Sequence, residues 1–366
     1  MAASHAKGGN VLLSLQRPAP ARYSVPGAGW ISRKGATMDT SLPELKFLTS
    51  SPDYHDYRPT MDKTGKRVIF ERTPVQRGAT TLYVINDIWS TDAPVPFLTA
   101  TSPAPPPWQT RPDCCWGKDA VAFNGADSET DPVHVWRVDG NGKINLRKIP
   151  HTKGAFYPRW SIEGGEFVTE NHGGHAKPVP CNSIFDTSGN LNFANVDGTA
   201  GNGIPLFGGM PAMGAGDLPH IAFAGQPAVS GWGNSSSDEP PHYDENTNYI
   251  FLNTVGPHGT VTSSPMESGA CLTTYDPNYQ GRAPSWSPDG KTIVFESNRP
   301  AGGNYAIYLH NVADGTLRQV TDPSLDGQHA KFFPDGKNLI LCIDHPQNVP
   351  NTRGIAMVDI SKLLNP

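Results

Sequence analysis

One pattern recurs along the chain, and a repeat constrains a fold more than any single motif does. Its clearest copy begins at Ala283 with Ala-Pro-Ser-Trp-Ser-Pro-Asp-Gly-Lys-Thr-Ile-Val-Phe-Glu-Ser-Asn-Arg-Pro. From Asn304 it continues as Asn-Tyr-Ala-Ile-Tyr-Leu-His-Asn-Val-Ala-Asp-Gly-Thr-Leu-Arg-Gln-Val-Thr. This reads as four strands. The first ends near Trp286. Pro288-Asp289-Gly290 is a hairpin turn, because Gly supplies the positive φ that such turns need. The second strand is Thr292 to Glu296, the third Tyr305 to His310, and Asp314-Gly315 turns into the fourth, Leu317 to Thr321.

The same grammar returns elsewhere. His329 to Gly336 precedes Asn338 to Ile343 and Gly354 to Asp359. Tyr57-Arg-Pro-Thr-Met61 precedes Arg67 to Glu71, Thr81 to Ile85 and Pro96 to Thr99. Arg111 to Trp116 precedes Ala120 to Phe123 and Val133 to Arg137. Tyr157-Pro-Arg-Trp-Ser161 precedes Glu166 to Thr169. Pro219 to Phe223 opens a more diverged unit, with Tyr249 to Leu252 as an outer strand. Asn10 to Pro18, Gly29 to Arg33 and Leu45 to Thr49 match second, third and fourth strands with no inner strand before them.

A period of roughly 45–60 residues with four strands each is the signature of a β-propeller. One four-stranded sheet cannot bury both faces alone, and a ring of neighbours solves that problem. The expected fold is therefore all-β: a single β-propeller domain of four-stranded blades over 1–366. Second strands count seven blades and inner strands six. Seven is favoured and six is the alternative, with closure by pairing of the N- and C-terminal strands. Residues 1–9 are expected to be a disordered leader, 10–49 a partial blade, and 197–216, 231–248 and 256–280 long insertions. Insertions of that length in a compact fold are commonly functional or disordered.

The motif Pro-Ser-Trp-Ser-Pro-Asp-Gly-Lys-Thr-Ile-Val-Phe-Glu-Ser-Asn-Arg, with its trailing Leu-Arg-Gln-Val-Thr, resembles the TolB-like propeller repeat. The match is strong over Ala283–Thr321, fair over Arg58–Thr99 and Gln328–Ile360, and weak over 160–280. The resemblance implies fold more than function, since function lives in sites placed on folds. Propellers of this kind include protein-binding scaffolds, oligogalacturonate and ulvan lyases, and accessory domains of peptidases. This chain has no G-x-S-x-G elbow to support a serine hydrolase.

Composition narrows the partners. Lys and Arg number 29 against 34 Asp and Glu, a net charge of −5 with His neutral, and no long basic run is present. A nucleic-acid duplex is therefore not an expected partner. No apolar run reaches the roughly 18–20 residues that span a bilayer. Met1 to Asn10 lacks the apolar core of a secretory signal. The chain is expected to be exported, to the periplasm or outside the cell, if a signal has been removed, and otherwise cytoplasmic. It is expected to be a monomer. Five Cys exclude a framework that pairs every one of them. The adjacent Cys114 and Cys115 read as small fillers of an inner strand.

Propellers meet ligands where inner strands begin, around the central channel. That set is rich in Arg, His and Tyr although the chain is acidic. Arg58, Arg111, Arg159, Arg282, His55 and His329 are the ligand-binding candidates, because converging cations suit an anionic group such as a uronate carboxylate. For lyase chemistry, neutralising that carboxylate acidifies the neighbouring C–H, and a base then removes the proton. His220 or His172 is the expected base, and Tyr157 the acid or base. His172 and His175 flank two glycines in a loop and could share a divalent metal, given one or two more ligands. The expected partner is thus an anionic carbohydrate or other small molecule. The alternative is a non-catalytic scaffold that binds a protein.

Overall fold

The computed structural model describes residues 42–99, 103–140, 144–150, 152–162, 164, 166–171, 181–186, 206–207, 209–214, 220–225, 249–254, 270–271, 280–299, 303–344 and 352–364. These fall in one unit, Leu42–Pro366. The expected leader 1–9, the strands expected in 10–41 and the insertion 231–248 lie outside the described residues.

The first strand, β1 (Leu45–Phe47), is followed by six sheets in chain order. Sheet I holds β2 (Tyr54–Met61), β3 (Val68–Pro74), β4 (Thr81–Ile85) and β5 (Val95–Pro96). Sheet II holds β6 (Trp108–Cys115), β7 (Ala120–Ala126), β8 (His134–Asp139) and β9 (Ile144–Lys148). Sheet III holds β10 (Ala155–Trp160), β11 (Glu166–Asn171), β12 (Cys181–Asp186) and β13 (Leu206–Phe207). Sheet IV holds β14 (Gly209–Met213), β15 (His220–Gly225), β16 (Tyr249–Thr254) and β17 (Ala270–Cys271). Sheet V holds β18 (Gly281–Trp286), β19 (Thr292–Ser297), β20 (Ala306–Asn311) and β21 (Leu317–Gln319). Sheet VI holds β22 (Gln328–Phe332), β23 (Asn338–Asp344) and β24 (Arg353–Asp359), and β1 returns as its fourth strand.

All pairings are antiparallel. The inner strands β6, β10, β14, β18 and β22 each pack on the preceding sheet, and β2 packs on sheet VI, so the contacts return to their start. The chain ends close the ring as expected: Leu45 pairs with Val358 and Phe47 with Ala356. The segment expected to begin a seventh blade thus supplies, at Leu45–Phe47, the outer strand of the last sheet. The described residues hold six sheets, the alternative count.

Second strands are apolar on both faces because each stands between two neighbours. Val68 and Phe70 pack with Ile340, Cys342, Ile355 and Met357 of sheet VI. Ile69, between them, faces Cys114, Val121 and Phe123 of sheet II. In β23, Leu339, Leu341 and Ile343 turn towards Val294, Ile307 and Leu309 of sheet V. Burying a side chain such as Phe70 or Phe123 contributes about 2–3 kcal/mol. Cys114, Cys115 and Cys342 are free and buried, and the first two fill the sheet interfaces as the sequence implies. Among the described residues, no helix is long and apolar enough to cross a membrane.

Two expectations are corrected in sheet IV. Residues 219–223 do not form an inner strand: His220–Gly225 is the second strand, and Gly209–Met213 is the inner one. The latter falls inside 197–216, read from its Gly, Pro and Met content as an insertion. The stretch 256–280 likewise carries β17.

Candidate functional site

Each inner strand breaks its register at one bulge: Tyr57/Thr60, Thr110/Asp113, Phe156/Arg159, Gly209/Ala212, Arg282/Ser285 and Gln328/Lys331. The bulged residues are Arg58, Arg111, Tyr157, Met210, Ala283 and His329, and all six have a φ between 43° and 52°. Five of the six precede proline. A left-handed residue with a side chain costs about 1–2 kcal/mol, so something must hold it there.

The second strand of the preceding sheet does so. Arg111 N–H donates to Glu71 Oε1 at 2.5 Å, and Tyr157 N–H to Asn124 Oδ1 at 3.0 Å. Met210 N–H donates to Glu170 Oε2 at 2.8 Å, and His329 N–H to Glu296 Oε2 at 2.6 Å. Arg58 N–H meets the Cys342 sulfur. These acceptors occupy one register position, opposite the residue before the bulge in their own sheet. Sheet IV has Ala224 there, opposite Gly209, and so has no side-chain acceptor to offer.

The bulges bring four of the sequence-derived ligand candidates together. Arg58, Arg111, Arg159 and His329, with Tyr157, Pro112 and Lys331, line one cavity in the channel. Its volume is about 10 Å³, the space of roughly one water molecule. Arg58 Nη1 binds both oxygens of Glu71, at 2.9 and 3.2 Å. Its Nη2 lies 3.4 Å from Tyr157 Oη, which accepts. The Tyr157 ring carries the Arg58 guanidinium at 5.5 Å and that of Arg111 at 4.7 Å. Asp113 receives Arg159 Nη1 at 3.2 Å, Lys331 Nζ at 2.6 Å and Trp160 N–H at 2.8 Å. Arg111 Nη1 reaches only Thr110 Oγ1, at 3.1 Å, and has no carboxylate partner among the described residues. The buried Nε atoms of Arg58 and Arg111 have no partner at all among those residues.

The electrostatics follow from this crowding. Burial, then Arg159, lowers the Lys331 ammonium to about 8, against the pull of Asp113. Burial, then Arg58, Arg282, Arg159 and Lys331, keeps His329 well below its ordinary value, so the ring is neutral. Burial is the largest influence on Arg58 and opposes its charge, but Glu71, Tyr157 and Tyr57 together outweigh it and the guanidinium stays protonated.

The tautomer of His329 is set by a chain of bonds. Gln328 Nε2 donates to Asp326 Oδ2 at 2.9 Å, which orients the amide. Tyr57 Oη donates to Gln328 Oε1 at 2.5 Å. With its proton spent, the Tyr57 oxygen accepts from His329 Nε2 at 2.9 Å. His329 Nδ1 is then the lone-pair nitrogen, buried and without a partner among the described residues.

The other candidates lie elsewhere. Arg282 ion-pairs with Glu296 and stacks on Tyr305 at 3.9 Å, away from the cavity lining. His55 lies 5.5 Å from the Tyr57 ring and also stays out of the lining. His220 opens β15 beside Ile221, which pairs with Met213 at the far end of the inner strand. It begins that strand at the opposite end of the sheet from the bulge. The strand it opens is a second strand rather than the inner strand expected. His172 and His175 lie outside the described residues. Among those that are described, no three His, Cys, Asp or Glu are placed to share a metal ion. The sequence reading missed Asp113 and the clasping acids Glu71, Glu170 and Glu296. The signal of the three glutamates was present as a polar residue recurring in apolar second strands.

A second cavity, of about 60 Å³, lies on the other side of Arg159 and Lys331. Its walls include Trp116, Trp160, Trp286, Met213 and Phe332. Asp113 lines it as well, and Arg159 and Lys331 line both cavities and so stand between them.

No protein-family model matches the chain, and no curated protein matches it by sequence. Solved structures do resemble it. TolB from Acinetobacter baumannii is similar with a TM-score of 0.47 and 15% identity, over 84% of this chain and 63% of that one. This chain thus spans less than two thirds of that TolB. The oligogalacturonate lyase of Vibrio parahaemolyticus is similar with a TM-score of 0.48 and 11% identity, over 88% of this chain and 95% of that one. The tricorn protease is similar with a TM-score of 0.49 and 12% identity, over 81% of this chain and 26% of that one. At such identities the likeness is one of fold: the chain is structurally similar to TolB-like β-propellers.

Proposed function

We propose that this chain is a six-bladed propeller that binds a small anionic ligand, a carboxylate-bearing sugar of the uronate type, at the mouth of its channel. One observation carries the reading. Four cations, Arg58, Arg111, Arg159 and Lys331, surround one cavity with only two carboxylates among the described residues, Glu71 and Asp113, as ion-pair partners. Arg111 is the cation left over, and a planar guanidinium suits a carboxylate. The cavity has room for about one water-sized group, so a carboxylate would put one oxygen there and the sugar would stay in the mouth above it.

The reading goes as far as binding. His329 is the neutral imidazole at the cavity, but the burial and the cations that keep it neutral also make it a weak base. A lyase would need a stronger one, and His172, the next residue in the sequence after β11, is the remaining candidate. β11 ends at Asn171 opposite Ala155, on the side where inner strands begin.

Calorimetric titration with galacturonate and digalacturonate, against neutral galactose, tests the proposal. Binding of the acids alone is expected, and Arg111→Ala should weaken it by at least about tenfold, the scale of a charged hydrogen bond. Equal binding of galactose, or an unaffected Arg111→Ala, would sink it. Unsaturated product in the same mixtures would add the lyase step. Silence towards every acid, with a protein recovered on the immobilised propeller, would favour the scaffold alternative.

A further inference from the structure

We infer that the cation-lined cavity holds a resident inorganic anion of chloride's size, bound among Arg58, Arg111, Arg159 and Lys331. The inference shares the anion-binding reading of these residues but does not depend on any sugar.

Charge is the first ground. Glu71 already accepts two bonds from Arg58 and the N–H of Arg111. Asp113 accepts from Arg159, Lys331 and the Trp160 N–H. Both acids are engaged, and among the described residues these four cations have ion pairs with only those two carboxylates. Lys331 is buried but answered by Asp113, whereas Arg111, half-buried, has no carboxylate partner among the described residues. A buried charge without a counter-charge is strongly disfavoured. A water molecule would fill the space and leave the charge unanswered.

Volume and donors are the second ground. The cavity holds about one water-sized group, which suits a monoatomic ion and is too small to enclose an organic acid. Two buried guanidinium N–H groups, Arg58 Nε and Arg111 Nε, have no acceptor among the described residues. A halide accepts from any direction, so it makes no demand on their orientation. Tyr157 holds two of the guanidiniums on one ring, which keeps like charges close together for an anion to bridge.

The test replaces chloride by bromide. Crystals of the full chain grown in sodium bromide should show an anomalous peak among the four cations. Thermal unfolding should show a saturable rise in Tm in sodium chloride over sodium methanesulfonate at equal ionic strength, because methanesulfonate cannot enter. Arg111→Gln should abolish both effects, and if that variant fails to fold the two wild-type measurements decide. Absence of the peak overturns the inference. So does a peak without the saturable Tm difference, which marks an adventitious ion only. Galacturonate titration in chloride-free buffer separates this from the ligand reading. A bromide peak with no galacturonate binding leaves the ion and removes the sugar, and the converse removes the ion and leaves the sugar.

Discussion

Glu71 answers three donors with two oxygens: the Arg58 guanidinium twice and the Arg111 N–H once. Its substitution therefore separates charge from hydrogen bonding. Glu71→Ala should cost about 3–5 kcal/mol in urea unfolding, as expected when a buried ion pair loses one partner. Glu71→Gln keeps an acceptor and should cost less, about 1–2 kcal/mol. Equal losses would mean that packing, not the pair, carries the effect. Lys331 offers a pH signature at the same scale. The unfolded chain keeps its Lys331 proton up to about 10.5, the folded chain only to about 8. Between those values unfolding takes up a proton, so this group makes stability rise with pH. Other groups oppose it: Cys342 is pushed up to about 12 by burial and loses stability above the ordinary thiol range. The comparison must therefore be with Lys331→Met, whose stability relative to wild type should fall between pH 8 and 10.5. A constant difference over that interval would refute the assignment.

At the scale of the strand, the recurrent device is a bulge followed by proline and clasped from the sheet before. Its signal was written in the sequence, in Arg58-Pro59, Arg111-Pro112, Tyr157-Pro158, Met210-Pro211 and Ala283-Pro284. It was legible as part of the strand at Tyr57–Met61 and Arg111–Trp116 because charged and aromatic residues stood beside it. It was not legible at Gly209–Met213, where Gly, Pro and Met together resemble a loop and periodicity carries no weight over five residues. The cavity residues were readable because they begin the inner strands. The clasping acids were not, since a Glu at the end of an apolar run looks like a solvated strand end until the neighbouring sheet is in place. Gly209 shows how tight the clasp is. A Cβ there would lie 2.5 Å from Glu170 Oε2, the atom that receives Met210 N–H. Glu170 would have to swing away and release that bond. Gly209→Ala should cost about 1–2 kcal/mol in thermal unfolding, and an unchanged Tm would show that the bulge holds without its clasp.

At the scale of the whole ring, stability depends on a seam where chain ends meet. β1 closes sheet VI through Leu48 N–H and Thr49 N–H to Ile355 O, at 2.8 and 3.2 Å. Ile355 N–H returns to Thr49 Oγ1 at 2.9 Å. Gly354 lies against this seam, and a Cβ on it would come within 2.4 Å of Thr49 O. That contact is backbone on backbone, so no side chain can turn aside to relieve it. Gly354→Ala should lift β1 at a cost of about 2 kcal/mol, within the range for overpacking. A ring of stacked sheets gives each sheet two neighbours, whereas the outer strand of a sheet has only one edge to lose. The damage should therefore stay local. Hydrogen exchange should quicken at Leu48, Thr49 and Ile355 and stay unchanged at Val121 and Phe123 in the buried second strand of sheet II. Uniform acceleration across both sets would mean that the seam governs the whole molecule, and that closing the chain ends is the cooperative step on which the ring depends.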